Sequence, residues 1–175
     1  MTDRQFFDWQ TGGGANDVLK MIGILESRAA PWCMIGGLAV NHWAREPMVT
    51  QDVDIVLAFE KVDEAVAAFQ VAGFAVKTFP DSVNLTGSSR VSIQISTDKV
   101  YREFPSRSLP ADIHGILMRV AALDDTLKGK LLAYADPGRR ASKRQKDLAD
   151  IARLMEAHPE IAPQVPAVLR ERIGL

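Results

Sequence analysis

The 175-residue sequence contains one cysteine, three histidines and no long apolar run. Its single cysteine, Cys33, excludes an internal disulfide framework, and the apolar run WCMIG around it predicts a buried thiol. The histidines, His42, His114 and His158, are dispersed without the spacing of metal ligands. The N-terminus lacks the basic-then-apolar pattern of a signal peptide, and no run approaches the roughly 20 apolar residues that cross a bilayer. These absences predict a cytoplasmic protein that does not bind a membrane.

An excess of charge of one sign is also missing, because 21 basic residues stand against 22 acidic ones and the net charge is −1. This balance excludes a protein that coats DNA with its whole surface, although it permits a local basic patch. We predict three segments: an N-terminal arm at 1–14, an α/β core at 15–122, and a helical extension packed on the core at 123–175. The three glycines at 12–14 predict a flexible joint after the arm.

Hydrophobic periodicity predicts a small mixed sheet flanked by helices, which is the α+β class. Strands are predicted at WCMIG (32–36), VDIVLAF (53–59), FAVKTF (74–79) and RVSIQIST (90–97), with a turn at NLTGSS (84–89). Another apolar run, GILMRVAAL, covers 115–123. Beyond it the pattern is helical, with segments predicted near 124–135, 142–157 and 163–172.

The most informative stretch has Gly36-Gly37 after an apolar strand, and Asp52 and Asp54 at the start of a β-branched one. Residues i and i+2 of a strand share one face, so these carboxylates lie about 7 Å apart along the strand. Burying both is costly unless a cation lies between them, and Mg²⁺ suits carboxylate and phosphate oxygens. The glycines lack a Cβ, so a phosphate can approach their N–H groups at the start of a helix. The pattern predicts a site for Mg²⁺ and a triphosphate.

Each half of this pattern also has a purely structural explanation. A lone D-x-D pair can cap a strand, and Gly-Gly alone is most often a turn. A structural α+β domain therefore stays an alternative, although the order of strand, Gly-Gly, helix and D-x-D is more specific than either half.

Three segments resemble, in this order, the nucleotidyltransferase superfamily with the DNA polymerase β-like fold: IGGLAVNHWA, TQDVDIVL and KLLAYADPGRRASKRQKDLADIARL. They are most similar to the small bacterial family that includes the AbiEii-type toxins. The resemblance implies that Asp52 and Asp54 are the metal-binding carboxylates. It implies that Gly36 and Gly37 are the family's glycine pair. It further implies Mg²⁺-dependent transfer of a nucleotide with release of pyrophosphate, or descent from such an enzyme.

One departure from the family pattern concerns a third carboxylate, which such enzymes usually carry on a neighbouring strand. The corresponding strand, RVSIQIST, offers only the neutral Ser92, Gln94 and Ser96. Asp98 follows with the same parity, but the strand would have to bend to bring it to the site. The missing acid predicts a protein that binds a nucleotide and transfers it slowly or not at all.

A second departure lies just before the acidic pair. Many relatives have Arg-x-Thr-x-Asp-x-Asp, and in this sequence Thr50 matches while Met48 stands at the arginine position. Arg45, three residues earlier, is the candidate substitute for contacting the substrate.

The helix predicted from Leu123 carries an apolar stripe, with Lys130 close to that stripe and Lys128 well away from it. A lysine beside a buried face either extends its head to water or faces an anion. The resemblance favours the second role for Lys130, which would then face the nucleotide.

Five basic residues lie within eight positions of the segment PGRRASKRQKDLADI. Such a run is usually a solvated face, but positive charge at a helix N-terminus opposes the helix dipole and so indicates a bound anion. Arg140 and Lys143 are therefore candidate substrate-binding residues. Asp147 is expected to orient Lys143, to polarise a hydroxyl group or to form an intrahelical ion pair, and Asp150 is expected to point further out.

The leading interpretation is a nucleotidyltransferase-like protein that binds an NTP with Mg²⁺ and transfers a nucleotide to an RNA, protein or small-molecule acceptor. The candidate catalytic residues are Asp52, Asp54, Lys130 and Asp147. The alternative is a catalytically degenerate binding module with the same fold, such as a toxin with a cognate antitoxin as its partner.

Overall fold

The computed structural model describes residues 1–174, except for the side chains of Gln10 and Phe59. The described residues include seven strands: β1 (Trp32–Ile35), β2 (Asp52–Leu57), β3 (Ala75–Phe79), β4 (Ser82–Thr86), β5 (Ser92–Ser96), β6 (Leu109–Ile113) and β7 (Ile116–Val120). All seven belong to one sheet with the order β3-β4-β5-β2-β1-β7-β6. The pairs β2–β5 and β1–β7 are parallel and the other neighbours are antiparallel.

The helices lie on both faces of this sheet. They are α1 (Asp3–Thr11), α2 (Ala15–Ser27), α3 (Gly36–Ala44), α4 (Val62–Val71), α5 (Phe104–Arg107), α6 (Leu123–Ala135), α7 (Ala141–Ala157) and α8 (Ala167–Ile173). Short 3₁₀ segments cover Phe59–Lys61, Lys99–Tyr101 and Pro159–Gln164. The expected α+β fold, a mixed sheet flanked by helices with a helical C-terminal part, is confirmed.

Strand β2 shows how the two faces of the sheet differ. Its odd residues, Val53, Ile55 and Leu57, are buried in a large apolar cluster with side chains of α2 and α4. Its even residues include Asp52 and Asp54, which point to the opposite face because side chains alternate along a strand. The polar residues of β5 alternate in the same way beside them. One face is therefore apolar core, and the other carries the acidic pair.

The C-terminal helices cover the face with the acidic pair. Residues of α6, α7 and α8 form a second apolar cluster, in which Leu127, Ile151 and Leu154 are fully buried. Val40 and Ala44 of α3 belong to the same cluster and join these helices to the rest of the protein. Across the part of the chain that is described, no helix is long and apolar enough to cross a membrane.

Two features differ from the sequence-based expectations. The segment 1–14 contains a packed helix. A capping box of Thr2 and Gln5 stabilises the N-terminus of α1, and Phe7 of this helix is fully buried in the large cluster. The glycines after it form a packed turn, since a Cβ on Gly14 would lie 2.6 Å from the Cβ of Val91. The expected turn at 84–89 begins only after β4, whose strand pairing extends through Thr86.

Replacing Phe7 tests whether α1 is part of the core. Phe7→Ala removes a large, fully buried side chain, and we expect the free energy of unfolding to fall by about 3–5 kcal/mol. The matched control is Trp9→Ala on the same helix, where the side chain is 65% exposed and the expected loss is about 1 kcal/mol or less. Urea unfolding measures both. Small, equal losses in the two variants would contradict the packing of α1 on the core.

Candidate functional site

The site begins where the backbone of Gly36 meets the carboxylate of Asp54. Antiparallel pairing of β1 with β2 sets Ile35 opposite Asp54, so the next residue, Gly36, lies beside the acidic side chain. Gly36 has a φ of +70°, and a Cβ there would lie 2.1 Å from Asp54 Oδ2. Any side chain at this position would collide with the carboxylate, and glycine removes both the collision and the strain of positive φ.

Gly37 and Thr50 make the second close approach of the two segments. A Cβ on Gly37 would lie 3.1 Å from Thr50 Oγ1, and Thr50 is buried. The Thr50 hydroxyl donates a long hydrogen bond of 3.4 Å to the carbonyl oxygen of Asp52. Thr50 therefore supports the start of β2 from inside the protein, next to the first turn of α3.

The acidic pair lies in an environment that disfavours negative charge. The pKa of Asp54 is raised to about 6, first by burial and second by the neighbouring charge of Asp52. The ammonium groups of Lys130, Lys143 and Lys146 act in the opposite direction. Lys143 Nζ lies 3.6 Å from Asp52 Oδ2, so this lysine of α7 reaches across to the sheet.

A cavity of about 180 Å³ opens in front of Asp54. Strands β1, β2 and β5 line one side of it, and α6 with the turn before α7 lines the other. The lining includes Gly36, Asp54, Gln94, Ser96, Tyr101, Asp125, Thr126, Lys130 and Arg139. Gly36, Asp54 and Lys130 therefore share one opening between the sheet and the C-terminal helices, whereas Asp52 is not among the lining residues.

Strand β5, on which the family resemblance led us to expect a third carboxylate, sets an amide and a hydroxyl opposite the acidic pair. Parallel pairing of β2 with β5 sets Asp54 opposite Gln94 and Asp52 opposite Ser92, and Gln94 lines the cavity. Asp98 is exposed, and its carboxylate caps the following 3₁₀ segment by accepting from Val100 N. Within residues 1–174, no three His, Cys, Asp or Glu side chains are grouped as a metal site.

Two neighbouring carboxylates are a donor set that fits a partly hydrated cation. Mg²⁺ is commonly held by one or two carboxylates and completes its octahedron with water and substrate phosphates. The side chain of Asp52 is 43% exposed, and Asp54 faces the cavity, so both have room for such a ligand.

Lys130 is buried at the back of the cavity between two acids of α7. Its Nζ lies 3.2 Å from Asp147 Oδ1 and 2.7 Å from Asp150 Oδ2. The expectation that Asp150 points outward is wrong, because only 2% of its side chain is exposed. Lys128 is exposed and lies over the ring of Phe104.

Asp147 holds two cations, and Lys143 is not one of them. Arg139 donates to it through both Nε, at 2.7 Å, and Nη2, at 3.0 Å. Together with Lys130 this uses both carboxylate oxygens, so Asp147 is placed to hold these two cations in position. Arg139 also lines the cavity, and sequence reasoning chose its neighbour Arg140 instead.

Of the six expected substrate-binding residues, only Gly36 lines this cavity. The other five, Gly37, Thr50, Lys143, Arg45 and Arg140, are not among its lining residues. Arg45 ends α3 in a left-handed conformation and lines a different cavity with His42 and His114. Arg140 is exposed at the position before α7. A helical pattern alone does not distinguish Arg139 from Arg140, because the turn before α7 decides which side chain faces inward.

Sequence reasoning also missed a group of residues on the far wall of the cavity. Tyr101, Asp125 and Thr126 line it, although none belongs to a recognisable motif. Asp125 is held by Arg107 through two hydrogen bonds of 2.9 and 2.8 Å. The available signal was weak: Asp125 lies in the first turn of a helix, where an acid is expected in any case.

A family model described as the nucleotidyl transferase AbiEii toxin of the Type IV toxin–antitoxin system matches residues 25–174. The chain belongs to this AbiEii family. The match includes the glycine pair, the acidic pair, Lys130 and Asp147. No curated protein sequence matches the chain.

Solved structures support the fold assignment of this AbiEii-family protein. ANT(2″)-Ia in complex with adenylyl-2″-tobramycin is 16% identical with a TM-score of 0.59, and the match covers 91% of this chain and 95% of that one. The lincomycin-bound lincosamide antibiotic adenylyltransferase LnuA is 9% identical with a TM-score of 0.54, over 80% of this chain and 97% of that one. An antigenic nucleotidyltransferase-like protein from Paracoccidioides brasiliensis is 18% identical with a TM-score of 0.53, over 90% and 84%. At such identities the likeness shows the nucleotidyltransferase fold alone.

The raised pKa of Asp54 predicts a pH-dependent gain in stability when the AbiEii-family protein loses this charge. The folded-state pKa of about 6 lies above the ordinary 3.8, so stability contributed by the protonated carboxyl is lost as pH rises through this range. Asp54→Asn is therefore expected to raise the melting temperature above that of the wild type at pH 7.5 and to match it near pH 4. Calorimetry in metal-free buffer measures this. Asp63→Asn, an exposed acid on α4, should show no such gain, and an equal gain at both pH values would contradict the environment described for Asp54.

Proposed function

We propose that the protein binds an NTP with Mg²⁺ and transfers the nucleotidyl group to an acceptor. The observation that carries this proposal is that the Asp54 carboxylate, the Gly36 backbone and the Lys130 ammonium line one cavity. An acidic pair, a turn without side chains and a buried cation are the groups that a metal–triphosphate complex requires.

In this proposal Asp52 and Asp54 hold the cation. When bound, Mg²⁺ neutralises charge on the phosphates and makes the α-phosphorus a better electrophile. The two carboxylates repel each other without a cation, as the raised pKa of Asp54 indicates, so binding relieves that repulsion.

The phosphates would lie between the first turn of α3 and the basic residues of the C-terminal helices. The N-terminus of α3 begins at Gly36 and directs free N–H groups toward an anion. Lys130 and Arg139 are already held at the cavity by Asp147 and need little reordering to contact an anion. Lys143 is near enough to Asp52 to exchange that contact for a phosphate oxygen.

In the transfer step an acceptor oxygen attacks the α-phosphorus, and the bond to the bridging oxygen of the β-phosphate breaks, releasing pyrophosphate. The acceptor proton must go to a base. Gln94, Ser96 and Thr126 are neutral and do not accept a proton at pH 7. Both oxygens of Asp125 accept hydrogen bonds from Arg107, and both oxygens of Asp147 are engaged by Lys130 and Arg139. We therefore propose slow transfer, with the catalytically degenerate binding protein as the alternative that Gln94 favours.

The biological setting is proposed from the family. Its description names a toxin of a Type IV toxin–antitoxin system, so we propose a cognate antitoxin as partner. An RNA, a protein or a small molecule is the acceptor. The fold neighbours LnuA, an antibiotic adenylyltransferase, and ANT(2″)-Ia, seen with adenylyl-2″-tobramycin, support the small molecule as one member of this set.

Thermal stabilisation by each NTP, with and without Mg²⁺, tests binding. A ligand that binds only the folded state raises stability by about 2.7 kcal/mol at 100 times its Kd. We expect the wild type to be stabilised only when Mg²⁺ is present and Asp54→Asn to lose that Mg²⁺ dependence. Lys130→Ala should weaken binding far more than Lys128→Ala, because Lys130 lines the cavity and Lys128 is exposed.

Absence of any NTP effect in the wild type would reject the proposed function and favour a structural domain. Equal, small effects of the two lysine variants would reject the phosphate-binding role of Lys130 while leaving the metal site intact. The Asp63→Asn variant controls for the loss of a carboxylate elsewhere on the surface.

Restoring an acid beside Asp54 tests why transfer is slow. General-base assistance is typically worth about 10²–10⁴-fold in rate, so Gln94→Asp is expected to raise transfer by about tenfold or more. Labelling of an RNA or protein pool with α-³²P NTP measures this. Ser92→Asp is the matched control, because Ser92 lies on the same strand face but not among the residues that line the cavity. Rapid transfer by the wild type that survives Asp98→Ala would show that position 94 does not limit the enzyme.

A further inference from the structure

Arg153 of α7 links three parts of the protein through one guanidinium group. Its Nη1 donates to Asp150 Oδ1 at 3.1 Å, and its Nη2 donates to Asn41 Oδ1 at 3.0 Å. The same Nη2 also donates to the carbonyl oxygen of Glu46. Only 11% of the Arg153 side chain is exposed, so water competes little for these contacts.

The segment that Arg153 contacts leads directly into the acidic pair. Asn41 donates from Nδ2 to the Met48 carbonyl oxygen at 2.7 Å and accepts from Met48 N at 3.1 Å. This segment, residues 45–51, connects α3 to β2 and ends one residue before Asp52. Arg153 and Asn41 together therefore fix the backbone that sets the position of β2.

On its other side Arg153 is coupled to the lysine at the cavity. Asp150 receives Arg153 on Oδ1 and lies 2.7 Å from Lys130 Nζ through Oδ2. A continuous series of contacts thus runs from Lys130 through Asp150, Arg153 and Asn41 to Met48. It joins the C-terminal helices, which carry Lys130, to the strand that carries the two aspartates.

Arg153 also affects the charge balance around Lys130. Lys130 lies between two carboxylates, and Arg139 and Arg153 each neutralise one of them. Without Arg153, the charge of Asp150 would act on Lys130 alone. The lysine would then be drawn toward Asp150 and would attract an anion in the cavity less strongly.

From these contacts we infer that Arg153 is a positioning residue for nucleotide binding. This inference rests on the proposed function. It holds Lys130 and the acidic pair at a fixed separation although they belong to different segments of the fold. A lysine cannot replace it, because one ammonium group lacks the planar fork that reaches a carboxylate, an amide oxygen and a carbonyl oxygen together.

The test measures the Kd for an NTP with Mg²⁺ by calorimetry in Arg153→Lys. We expect about a 10-fold loss of affinity, as is typical when a residue that supports a ligand-binding group is changed. Arg170→Lys, at a half-buried arginine of α8, is the matched control and should leave affinity unchanged. Asn41→Ala should cost a similar amount, and the double variant should cost less than the sum, because both residues act in one series.

A second measurement separates positioning from simple support of the fold. Hydrogen exchange of the Met48 amide should be about 10-fold faster in Arg153→Lys, and the lost affinity should accompany it. Faster exchange with unchanged affinity would show only a structural role and would overturn the inference. If Arg153→Lys changes neither the affinity for the NTP nor the exchange of the Met48 amide, the inference is overturned as well.

Failure of the proposed function gives a different result. If the wild type binds no NTP with Mg²⁺, the proposed function is rejected. The coupling between Lys130 and the segment before β2 is then tested by hydrogen exchange in Lys130→Met. Faster exchange of the Met48 amide in that variant would support the series of contacts from the lysine to the segment before β2. Unchanged exchange would overturn it.

Discussion

The contact between the Gly36 backbone and the Asp54 carboxylate is the constraint on which the rest of the site depends. It exists because β1 and β2 pair in a register that sets Ile35 opposite Asp54, and because α3 begins at the very next residue. A helix N-terminus and a carboxylate are thereby held side by side without any side chain between them. Position 36 must be glycine for two separate reasons, its φ of +70° and the 2.1 Å approach to Asp54 Oδ2.

This arrangement lowers stability at neutral pH. Desolvation and the neighbouring charge of Asp52 raise the pKa of Asp54 to about 6, so at neutral pH the folded protein keeps a charge that its surroundings disfavour. Natural proteins tolerate such conflicts mainly at functional sites. The opposite face of the same strand shows no conflict, because Val53 and Ile55 are buried among apolar side chains. Alternation along one strand therefore supplies core packing on one face and the acidic pair on the other.

Sequence patterns predicted those features of the site that depend on the geometry of a single strand. The spacing of Asp52 and Asp54 and the polar face of β5 follow from alternation along a strand, and both agree with the structure. Contacts between distant segments were not predictable in this way. Arg153 reaches Asn41 across 112 positions of the chain, and Asp150 turns inward because Lys130 lies opposite it on another helix. Helical spacing specifies the direction of a side chain only relative to its own helix.

The amide at position 94 connects the electrostatics of the site with its chemistry. A third carboxylate opposite Asp54 would provide a base and another metal ligand, but without a cation it would raise the pKa of Asp54 further. Gln94 keeps a hydrogen-bonding group of similar size there and adds no charge. An amide in place of an acid would remove a base and make the ligand-free site easier to fold, which agrees with the proposal of a protein that holds a nucleotide more readily than it transfers one.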